Sequence, residues 1–328
     1  MLPLKAVNLE VVGGCNLDCP LCPAATSNNK PVKLMTMDTF NLFLKSMEDI
    51  RKKPEVLLWN YGEPLMHPEI HVFVDKLEGL GFRTVISTNG VLLQMRANNF
   101  RNSKLSNLIV SLDGLDQETL SQYRRGAVLE NILEGFRQFK ANSPRTHCIL
   151  QLIAMKQNLH QVGQVAEYAK KWGFDSSLTK TVGNLFPAGG SNWSKDLLAF
   201  DPGTKLSRFD QLTEDYILPR GRAVNECPKA YREFAINTEG VLFQCTHDSG
   251  EQHPITTLKG QTFTEILASQ EYRKFVSTLG AAENAPAMCR MCPTRYTNNQ
   301  FLSPGLLKTK ILSRFYRLSR KLARSFQI

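Results

Sequence analysis

Short, apolar, β-branched segments alternate with longer segments of helical periodicity along residues 6–180. This alternation indicates an α/β fold in which crossover helices join the strands of a parallel sheet. Six such strands can curl into a partial barrel, whose chemistry lies at the carboxyl ends of the strands. The predicted strands are Ala6–Val12, Glu55–Asn60, Arg83–Ser87, Asn107–Leu112, Thr146–Ile153 and Asp175–Thr179. The predicted helices are Met37–Ile50, Pro68–Leu80, Val91–Phe100, Asp116–Tyr123, Asn131–Asn142 and Leu159–Trp172.

The alternation stops after about Lys180, and the rest of the chain divides into three parts. Residues 183–224 begin with a stretch that contains two adjacent glycines and a proline, and we predict a linker there. Residues 225–300 hold half of the eight cysteines with little periodicity, which favours a small domain organised by metal. The predicted organisation is therefore a core domain over residues 1–182, the linker, the small domain and a helical tail over residues 301–328.

The composition excludes several classes of protein and shifts attention to the cysteines. A chain with 42% hydrophobic and 21% charged residues is neither collagen-like nor fully disordered. It shows no signal-peptide pattern, and no apolar run approaches the roughly 20 residues that span a bilayer. We therefore expect a cytoplasmic protein. Grouped cysteines in that compartment more often bind metal or perform redox chemistry than form disulfides.

Three cysteines follow directly on the first predicted strand. Cys15, Cys19 and Cys22 lie in the sequence CNLDCPLC. A structural zinc site has four protein ligands, so three thiolates leave one position unfilled. In an iron–sulfur cluster, an iron without a protein ligand can bind a substrate or cofactor. The spacing alone leaves a zinc loop open as the alternative.

Polar turn sequences follow the next predicted strands. Glycine lets the backbone approach a ligand closely. Hydroxyl, amide and carboxylate groups can form hydrogen bonds with a nucleoside or an ammonium group, and arginine can pair with a carboxylate. Each of these sequences alone is also typical of an ordinary turn or a surface pair. Their occurrence in order at the ends of successive strands is what indicates a binding site. They are Tyr61-Gly62-Glu63-Pro64, Ser87-Thr88-Asn89-Gly90, Ser111-Leu112-Asp113-Gly114, and Arg124 with Arg125 after the following helix.

Taken together, these segments resemble the radical S-adenosylmethionine (SAM) superfamily. The resemblance implies a partial (β/α)6 barrel in which Cys15, Cys19 and Cys22 hold a 4Fe–4S cluster and the open iron binds SAM. It implies reductive cleavage of SAM to a 5′-deoxyadenosyl radical, with an external one-electron reductant such as flavodoxin or ferredoxin. The residues it assigns to SAM are Gly62, Glu63, Ser87, Asn89, Ser111, Asp113 and Arg124.

The match to this superfamily has two departures. The residue before the third cysteine is commonly aromatic and packs near the adenine, whereas here it is Leu21. In the segment that resembles the family's Gly-Gly-Glu motif, Tyr61 replaces the first glycine. The first change keeps apolar packing without stacking.

A second set of cysteines lies in the small domain. It has 17 residues between the first two cysteines, 43 across the gap and a closing CxxC, and its members are Cys227, Cys245, Cys289 and Cys292. Four thiolates suit a closed centre, either zinc or 4Fe–4S, and the spacing does not separate these. With Gly240, the pattern Cys-x12-Gly-x4-Cys resembles the opening of a SPASM domain, the auxiliary-cluster module of many radical SAM enzymes. No cysteine follows Cys292, so the resemblance is to the shortened, twitch-like form with a single auxiliary 4Fe–4S cluster.

The tail carries most of the excess positive charge. Seven of the 40 basic residues and none of the 30 acidic ones lie in residues 308–328, beside an apolar stripe at helical spacing. Basic amphipathic helices lie on anionic membranes, bind protein partners or dock on their own domain, and all three remain open. The net charge of +10 is thus largely a property of the tail. No recognisable nucleic-acid-binding motif is present, so we do not expect a nucleic-acid partner.

These observations favour a radical SAM oxidoreductase or maturase, without identifying a catalytic side chain. The auxiliary cluster would accept an electron from the substrate radical or position the substrate. Because the first strand begins by about residue 6, without room for a leader-peptide domain ahead of it, a small hydroxylated substrate such as a sugar or cyclitol is favoured. Peptide crosslinking, epimerisation or other maturation is the alternative, and a non-catalytic iron–sulfur or zinc protein is a third hypothesis.

Two further residues have an expected place. Cys148 lies in the fifth predicted strand, where we expect it to pack in the core; hydrogen-atom donation to a substrate radical is the alternative. His247 follows Cys245 closely and is a candidate for contact near the second site. The other histidines are expected to be surface or core residues.

Overall fold

Nine strands of the described residues form one mixed sheet in the computed structural model. The structure describes residues 4–24, 31–181, 209–212, 217–219, 227, 229–248, 250–280, 285–290 and 292. The predicted tail, residues 301–328, lies outside the described residues, as does most of the predicted linker.

All six predicted barrel strands are present and lie side by side in parallel, which confirms the predicted α/β class. Their β-branched and apolar side chains are suited to a sheet that is covered by helices. The strands are β1 (Ala6–Leu9), β2 (Glu55–Leu57), β3 (Arg83–Thr88), β4 (Asn107–Ser111), β5 (His147–Ala154) and β6 (Ser176–Thr181).

The predicted helices are also present, with shifted ends. The helices are α1 (Met37–Ser46), α2 (Ile70–Gly79), α3 (Leu93–Arg96), α4 (Gln117–Tyr123), α5 (Leu129–Asn142) and α6 (Val165–Trp172). The Thr36 side chain caps α1 by accepting a bond from the backbone N–H of Thr39, and Gly173 ends α6 with a φ of 86°. Stacked aromatic pairs fill the space between these elements: Phe40 with Phe73, and Phe136 with Phe174.

The small domain continues the same sheet. Its first strand, β7 (Glu233–Ile236), pairs in parallel with β1, and β8 (Val241–Phe243) and β9 (Pro254–Thr257) follow antiparallel. An edge strand leaves a row of unpaired backbone groups, and β7 covers that edge of β1. Three helices complete this part of the chain: α7 (Phe263–Ala268), α8 (Gln270–Gly280) and α9 (Ala287–Arg290). The strands next to Cys227 and Cys245 therefore belong to the same sheet as β1, which precedes the first cysteine loop.

Two short antiparallel pairs lie outside this sheet. Val12–Gly13 pairs with Lys33–Leu34 beside the first cysteine loop. Phe209–Leu212 pairs with Ile217–Pro219, inside the stretch expected to be a linker. The predicted linker therefore contains at least one short antiparallel pair among its described residues.

Candidate functional site

The first cysteine loop lies at the carboxyl end of β1. The Cys22 N–H donates a 2.9 Å hydrogen bond to the Cys19 carbonyl oxygen, and the Leu17 N–H lies 3.4 Å from the Cys15 sulfur. Burial raises the pKa of the Cys15 thiol to about 11 and that of Cys19 to about 12, and the charges of neighbouring thiols add to both shifts. Such thiols give up their protons when metal binding supplies positive charge.

The donor set of this loop suits a multi-iron cluster. Cys22 adds to the raised pKa of both Cys15 and Cys19, so the three thiols lie near one another on this loop. Thiolates are the ligands of iron–sulfur clusters, in which each iron takes its own protein ligand. Cys15, Cys19 and Cys22 could thus hold a cluster and leave one iron open.

Asn89 ties this loop to the turn after β3. Its side-chain amide donates to the Cys15 sulfur at 3.6 Å and to the Asn16 side-chain oxygen at 2.8 Å. Hydrogen bonds to the sulfur ligands are among the factors that set a cluster's reduction potential. Asn89, predicted as a contact of SAM, therefore also contacts a candidate cluster ligand.

The Glu63 carboxylate is used inside the protein. It is almost fully buried and accepts hydrogen bonds from the Leu65 N–H, the Thr88 hydroxyl and the Asn89 N–H, at 3.0, 2.7 and 2.8 Å. Burial raises the pKa of Glu63, and these hydrogen bonds oppose the rise. Glu63 thus joins the ends of β2 and β3 at the site.

Gly62 allows the closest backbone approach in this region. A Cβ added there would lie 1.7 Å from the Val12 carbonyl oxygen and 2.9 Å from that of Gly14. The turn after β2 therefore packs against the strand end that leads into the cysteine loop. A side chain at Gly62 would push these two segments apart.

Glu10, which was not predicted as a site residue, binds the same turn through hydrogen bonds. Its Oε1 accepts hydrogen bonds from the backbone N–H groups of Tyr61 at 3.0 Å and Gly62 at 3.4 Å. Burial raises the pKa of Glu10 to about 7, against the lowering effect of the Tyr61 bond. The available signal was a carboxylate within the apolar run Leu9-Glu10-Val11-Val12.

Asp113 and Arg124 form a buried ion pair, and Arg125 points to the exterior. The Arg124 Nε and Nη2 lie 2.9 and 2.7 Å from the same Asp113 oxygen, whose partner oxygen accepts from the Ile153 N–H at 2.6 Å. The Arg124 charge also lowers the pKa of Cys19, in opposition to burial. Of the two predicted arginines, Arg124 is thus the one at the site, whereas Arg125 is exposed.

A polar row crosses three adjacent strands. The Gln151 amide on β5 donates to the Ser111 hydroxyl on β4 at 2.9 Å, and that hydroxyl lies 3.5 Å from the Ser87 hydroxyl on β3. Gln151 is buried, and among the described residues its Oε1 has no hydrogen-bond partner. The sequence analysis missed Gln151, although a polar residue inside the apolar strand HCILQLIA was visible. A buried acceptor without a partner is a place for a ligand's donor.

The four cysteines of the second set line one cavity. The cavity is partly open to solvent, and its other lining residues are Lys229, Gln244, His247, Leu279 and Met288. Four thiolates around one space can each ligate one iron of a 4Fe–4S cluster, so the donor set Cys227, Cys245, Cys289 and Cys292 fits such a group.

Buried polar side chains fix the loops of this second site. Gln244 donates to the Glu233 carbonyl oxygen at 3.1 Å and accepts from the Tyr272 hydroxyl at 2.8 Å. The Tyr272 hydroxyl in turn accepts from the Tyr231 N–H at 2.9 Å. The His247 N–H lies 3.4 Å from the Cys245 sulfur, so the predicted position of His247 near the second site is confirmed.

The two sites also meet through one side chain. The Tyr61 hydroxyl donates to the carbonyl oxygen of Thr246, which follows Cys245 directly. In the sequence, Tyr61 is visible only as a departure from a glycine. Its ring spans the distance between the turn after β2 and the second cysteine loop.

Cys148 lies away from both cysteine sets, in the core of β5. It is fully buried, and its thiol donates to the Thr146 carbonyl oxygen at 3.5 Å. Burial raises the pKa of Cys148 to about 12, so the thiol stays protonated near neutral pH. This position agrees with the expected packing role.

Family comparisons agree with the two cysteine sites. The radical SAM superfamily model matches residues 9–169, and the SPASM model, an iron–sulfur cluster-binding domain, matches residues 227–293. No helix in the described ranges is long and apolar enough to cross a bilayer.

Two relatives illustrate the range of the sequence similarity. The AdoMet-dependent heme synthase of Methanosarcina barkeri is 29% identical over 214 residues, which are 64% of this chain and 59% of that protein. The tungsten-containing aldehyde ferredoxin oxidoreductase cofactor-modifying protein of Pyrococcus furiosus is 27% identical over 197 residues, 56% of this chain and 52% of that protein. The matches thus span a little more than half the length of these relatives.

Solved structures share the fold over nearly the whole chain. The structure of anSMEcpe with bound AdoMet has a TM-score of 0.63 at 15% identity and covers 99% of this chain and 100% of its own. BtrN in complex with AdoMet and 2-DOIA has a TM-score of 0.52 at 17% identity and covers 88% and 92%. SuiB of Streptococcus suis bound to the precursor peptide SuiA has a TM-score of 0.63 at 14% identity and covers 91% and 75%.

Proposed function

The chain belongs to the radical SAM superfamily and carries an iron–sulfur SPASM domain, and on this premise we propose that it oxidises a small hydroxylated substrate. The cofactors of such an enzyme are a 4Fe–4S cluster, SAM and an auxiliary iron–sulfur cluster. When bound, they supply a 5′-deoxyadenosyl radical that removes a hydrogen atom from the substrate and an acceptor for one further electron. The chain's own residues bind, orient and enclose these groups.

In this proposal Cys15, Cys19 and Cys22 ligate the catalytic cluster. The backbone carbonyls of the Gly62 turn accept hydrogen bonds from the SAM ammonium, because the Glu63 carboxylate already accepts three bonds from protein donors. Arg124 uses two nitrogens on Asp113 and keeps the donors of Nη1 for the SAM carboxylate.

The ribose of SAM is assigned to the polar row of Ser87, Ser111 and Gln151. The Gln151 Oε1 offers an acceptor to a ribose hydroxyl, and the serine hydroxyls can donate or accept. Asn89 keeps its contact with Cys15 and orders the adjoining loop. In this assignment the nucleoside lies across the carboxyl-terminal halves of β3, β4 and β5.

The second set, Cys227, Cys245, Cys289 and Cys292, is assigned to the auxiliary cluster. The observation that carries the oxidative role is the linkage of the two sites, by the pairing of β1 with β7 and by the Tyr61 bond to Thr246. A cluster held by these cysteines would supply the one-electron acceptor that oxidation of a hydroxyl to a carbonyl requires after hydrogen-atom removal, and the Tyr61 bond and the β1–β7 pairing hold its loops against the SAM-side turn.

Peptide modification is the competing function. It is favoured by the similarity of the fold to SuiB, whose structure contains a bound precursor peptide. The two functions differ in substrate but share the SAM site and the second cysteine site. Substrate-dependent hydrogen transfer therefore separates them: deuterium from a labelled polyol or from a labelled peptide would appear in 5′-deoxyadenosine.

The first experiment is anaerobic reconstitution followed by reduction with SAM. We expect about eight irons per chain, formation of 5′-deoxyadenosine, and loss of that product in the triple variant Cys15→Ala, Cys19→Ala, Cys22→Ala. Cys148→Ala is the matched control and should keep both clusters. A fully loaded wild-type protein that forms no 5′-deoxyadenosine would contradict the proposal.

The tail supports a further, separate proposal. Residues 301–328 would contact an anionic membrane surface or a protein partner through their basic residues. Co-sedimentation with anionic liposomes tests the membrane contact, by comparing the full chain with a chain that ends at residue 300. Equal binding of both proteins would discard it.

A further inference from the structure

Lys229 brings an ammonium group to the cavity of the second cysteine set. It lines that cavity with all four cysteines, and it lies two residues after Cys227. Its charge interacts with the thiols of Cys245 and Cys292. The other lining residues are the four cysteines, Gln244, His247 and two apolar side chains, so Lys229 brings the ammonium charge to this space.

Several contacts hold Lys229 in place. Its Nζ lies 2.8 Å from a carboxylate oxygen of Glu233, four residues later at the start of β7. Its carbonyl oxygen accepts a 3.4 Å hydrogen bond from the buried Gln244 side chain. Lys229 is also partly buried, with a side-chain exposure of 26%. The ammonium therefore has a defined position beside the cavity.

A fixed positive charge at this position has a predictable effect on a cluster. A 4Fe–4S core with four thiolate ligands is negatively charged, and one-electron reduction makes it more negative by one unit. A nearby cation stabilises the reduced form more than the oxidised form, and partial burial limits screening by salt. The charge and solvent exposure around a cluster are recognised determinants of its potential.

We propose that Lys229 raises the reduction potential of the auxiliary cluster and so makes it the electron acceptor of the reaction, while Glu233 moderates this effect. The inference rests on the proposed function, because it needs an iron–sulfur cluster at the second site. The electron comes from the substrate radical in turnover and from a chemical reductant in the test. Lys229 acts through the cluster and needs no contact with the substrate.

The test is the midpoint potential of the auxiliary cluster, followed by electron paramagnetic resonance during a redox titration of the reconstituted full-length protein. The triple Cys15, Cys19, Cys22 to alanine variant identifies which signal belongs to the auxiliary cluster. Lys229→Met removes the charge and Lys229→Arg retains it. Glu233→Gln removes the opposing charge, and Lys259→Met, at an exposed lysine of the same domain, is the control.

We expect Lys229→Met to lower the equilibrium constant for one-electron reduction of the auxiliary cluster by about tenfold, which lowers its midpoint potential by about 59 mV. Glu233→Gln should raise the potential, whereas Lys229→Arg and Lys259→Met should leave it near that of the wild type. An unmoved potential in Lys229→Met with an intact cluster would overturn the inference alone. If that variant fails to load, the Glu233→Gln result decides, since no rise would overturn it. A wild-type second site without iron would overturn the proposed function as well.

Discussion

The Tyr61 hydroxyl donates a 2.5 Å hydrogen bond to the carbonyl oxygen of Thr246, and this bond connects the turn after β2 to the loop that carries Cys245. The sequence motif that this turn resembles has a glycine at the position of Tyr61. A glycine could not span the distance, so the substitution adds a contact between the two sites. The backbone of the same turn stays fixed, because Glu10 accepts the N–H groups of Tyr61 and Gly62.

Removing the Tyr61 hydroxyl should weaken the junction between the two sites. For Tyr61→Phe we expect a loss of about 1 to 2 kcal/mol in the free energy of unfolding, because a partly buried acceptor loses its donor. Urea unfolding of the reconstituted protein under anaerobic conditions measures this. Tyr168→Phe, on α6, is the control and should change little. Equal stabilities of Tyr61→Phe and the wild type would show that the bond does not hold the junction.

The barrel was predictable from sequence because its strands and helices have strong local patterns. Arg83–Ser87 and Asn107–Leu112 are dense in β-branched side chains, and the structure extends or trims them by a single residue. The helix expected from Leu159 begins only at Val165, because residues Lys156–Gln164 form a 3₁₀ helix. The pairing of β7 with β1 was not predictable, since no local pattern specifies which distant edge a strand will cover.

A side chain at Gly62 should disrupt the cysteine loop. The Cβ of Gly62→Ala would lie 1.7 Å from the Val12 carbonyl oxygen, so the backbone must move. We expect a loss of about 3 kcal/mol or more in stability, together with lower iron content in the first cluster. Iron analysis measures the iron content of the first cluster when Gly62→Ala is made both in the full protein and in a protein that lacks the second set of cysteines.

Gly79→Ala is the matched control for that substitution. A Cβ at Gly79 meets no atom within 4 Å, and the residue lies at the end of α2. Alanine should therefore leave iron content unchanged and stabilise the protein by up to about 1 kcal/mol. Normal iron loading of Gly62→Ala would mean that the close approach of the two segments is not needed for the cluster.

Glu10 should make stability depend on pH. Its folded-state pKa of about 7 lies above the value of an exposed glutamate, so the folded protein binds the proton more tightly than the unfolded chain. The associated stability is complete below about pH 4.5 and is lost as the pH rises through 7, with a total of about 3 kcal/mol. Glu63 contributes in the same direction, so the effect of Glu10 must be isolated by substitution.

Glu10→Gln provides that isolation, because glutamine keeps an oxygen acceptor for Tyr61 and Gly62 but does not ionise. Between pH 5 and pH 8, the wild type should lose stability relative to Glu10→Gln, as measured by the free energy of unfolding. Urea titrations of both proteins at these two pH values measure it. If the stabilities of the two proteins changed with pH in the same way, protonation of Glu10 would not contribute to the free energy of unfolding.

The candidate site was only partly predictable, because a sequence shows residue types but not their partners. Glu63 was predicted as a SAM contact, and the sequence did not show that its carboxylate also accepts hydrogen bonds from Thr88 and Asn89. Asp113 and Arg124 were assigned separately and form one ion pair. Glu10 and Gln151 were missed although each interrupts an apolar strand, and buried polar groups in such positions need partners that only the fold reveals.

Gln151 gives the most direct test of where SAM lies. Replacing its amide by an apolar group in Gln151→Leu removes both the bond to Ser111 and the buried Oε1 acceptor that we assign to a ribose hydroxyl. The loss of one such bond, about 1.4 kcal/mol, corresponds to about a tenfold rise in the Kd for SAM. Equilibrium dialysis with the reconstituted protein measures this, and Gln138→Leu on α5 controls for the loss of a glutamine elsewhere. Iron content should be unchanged in both variants. An unaltered Kd for SAM in Gln151→Leu would show that the polar row does not bind SAM, and the row would then be a candidate contact for the substrate.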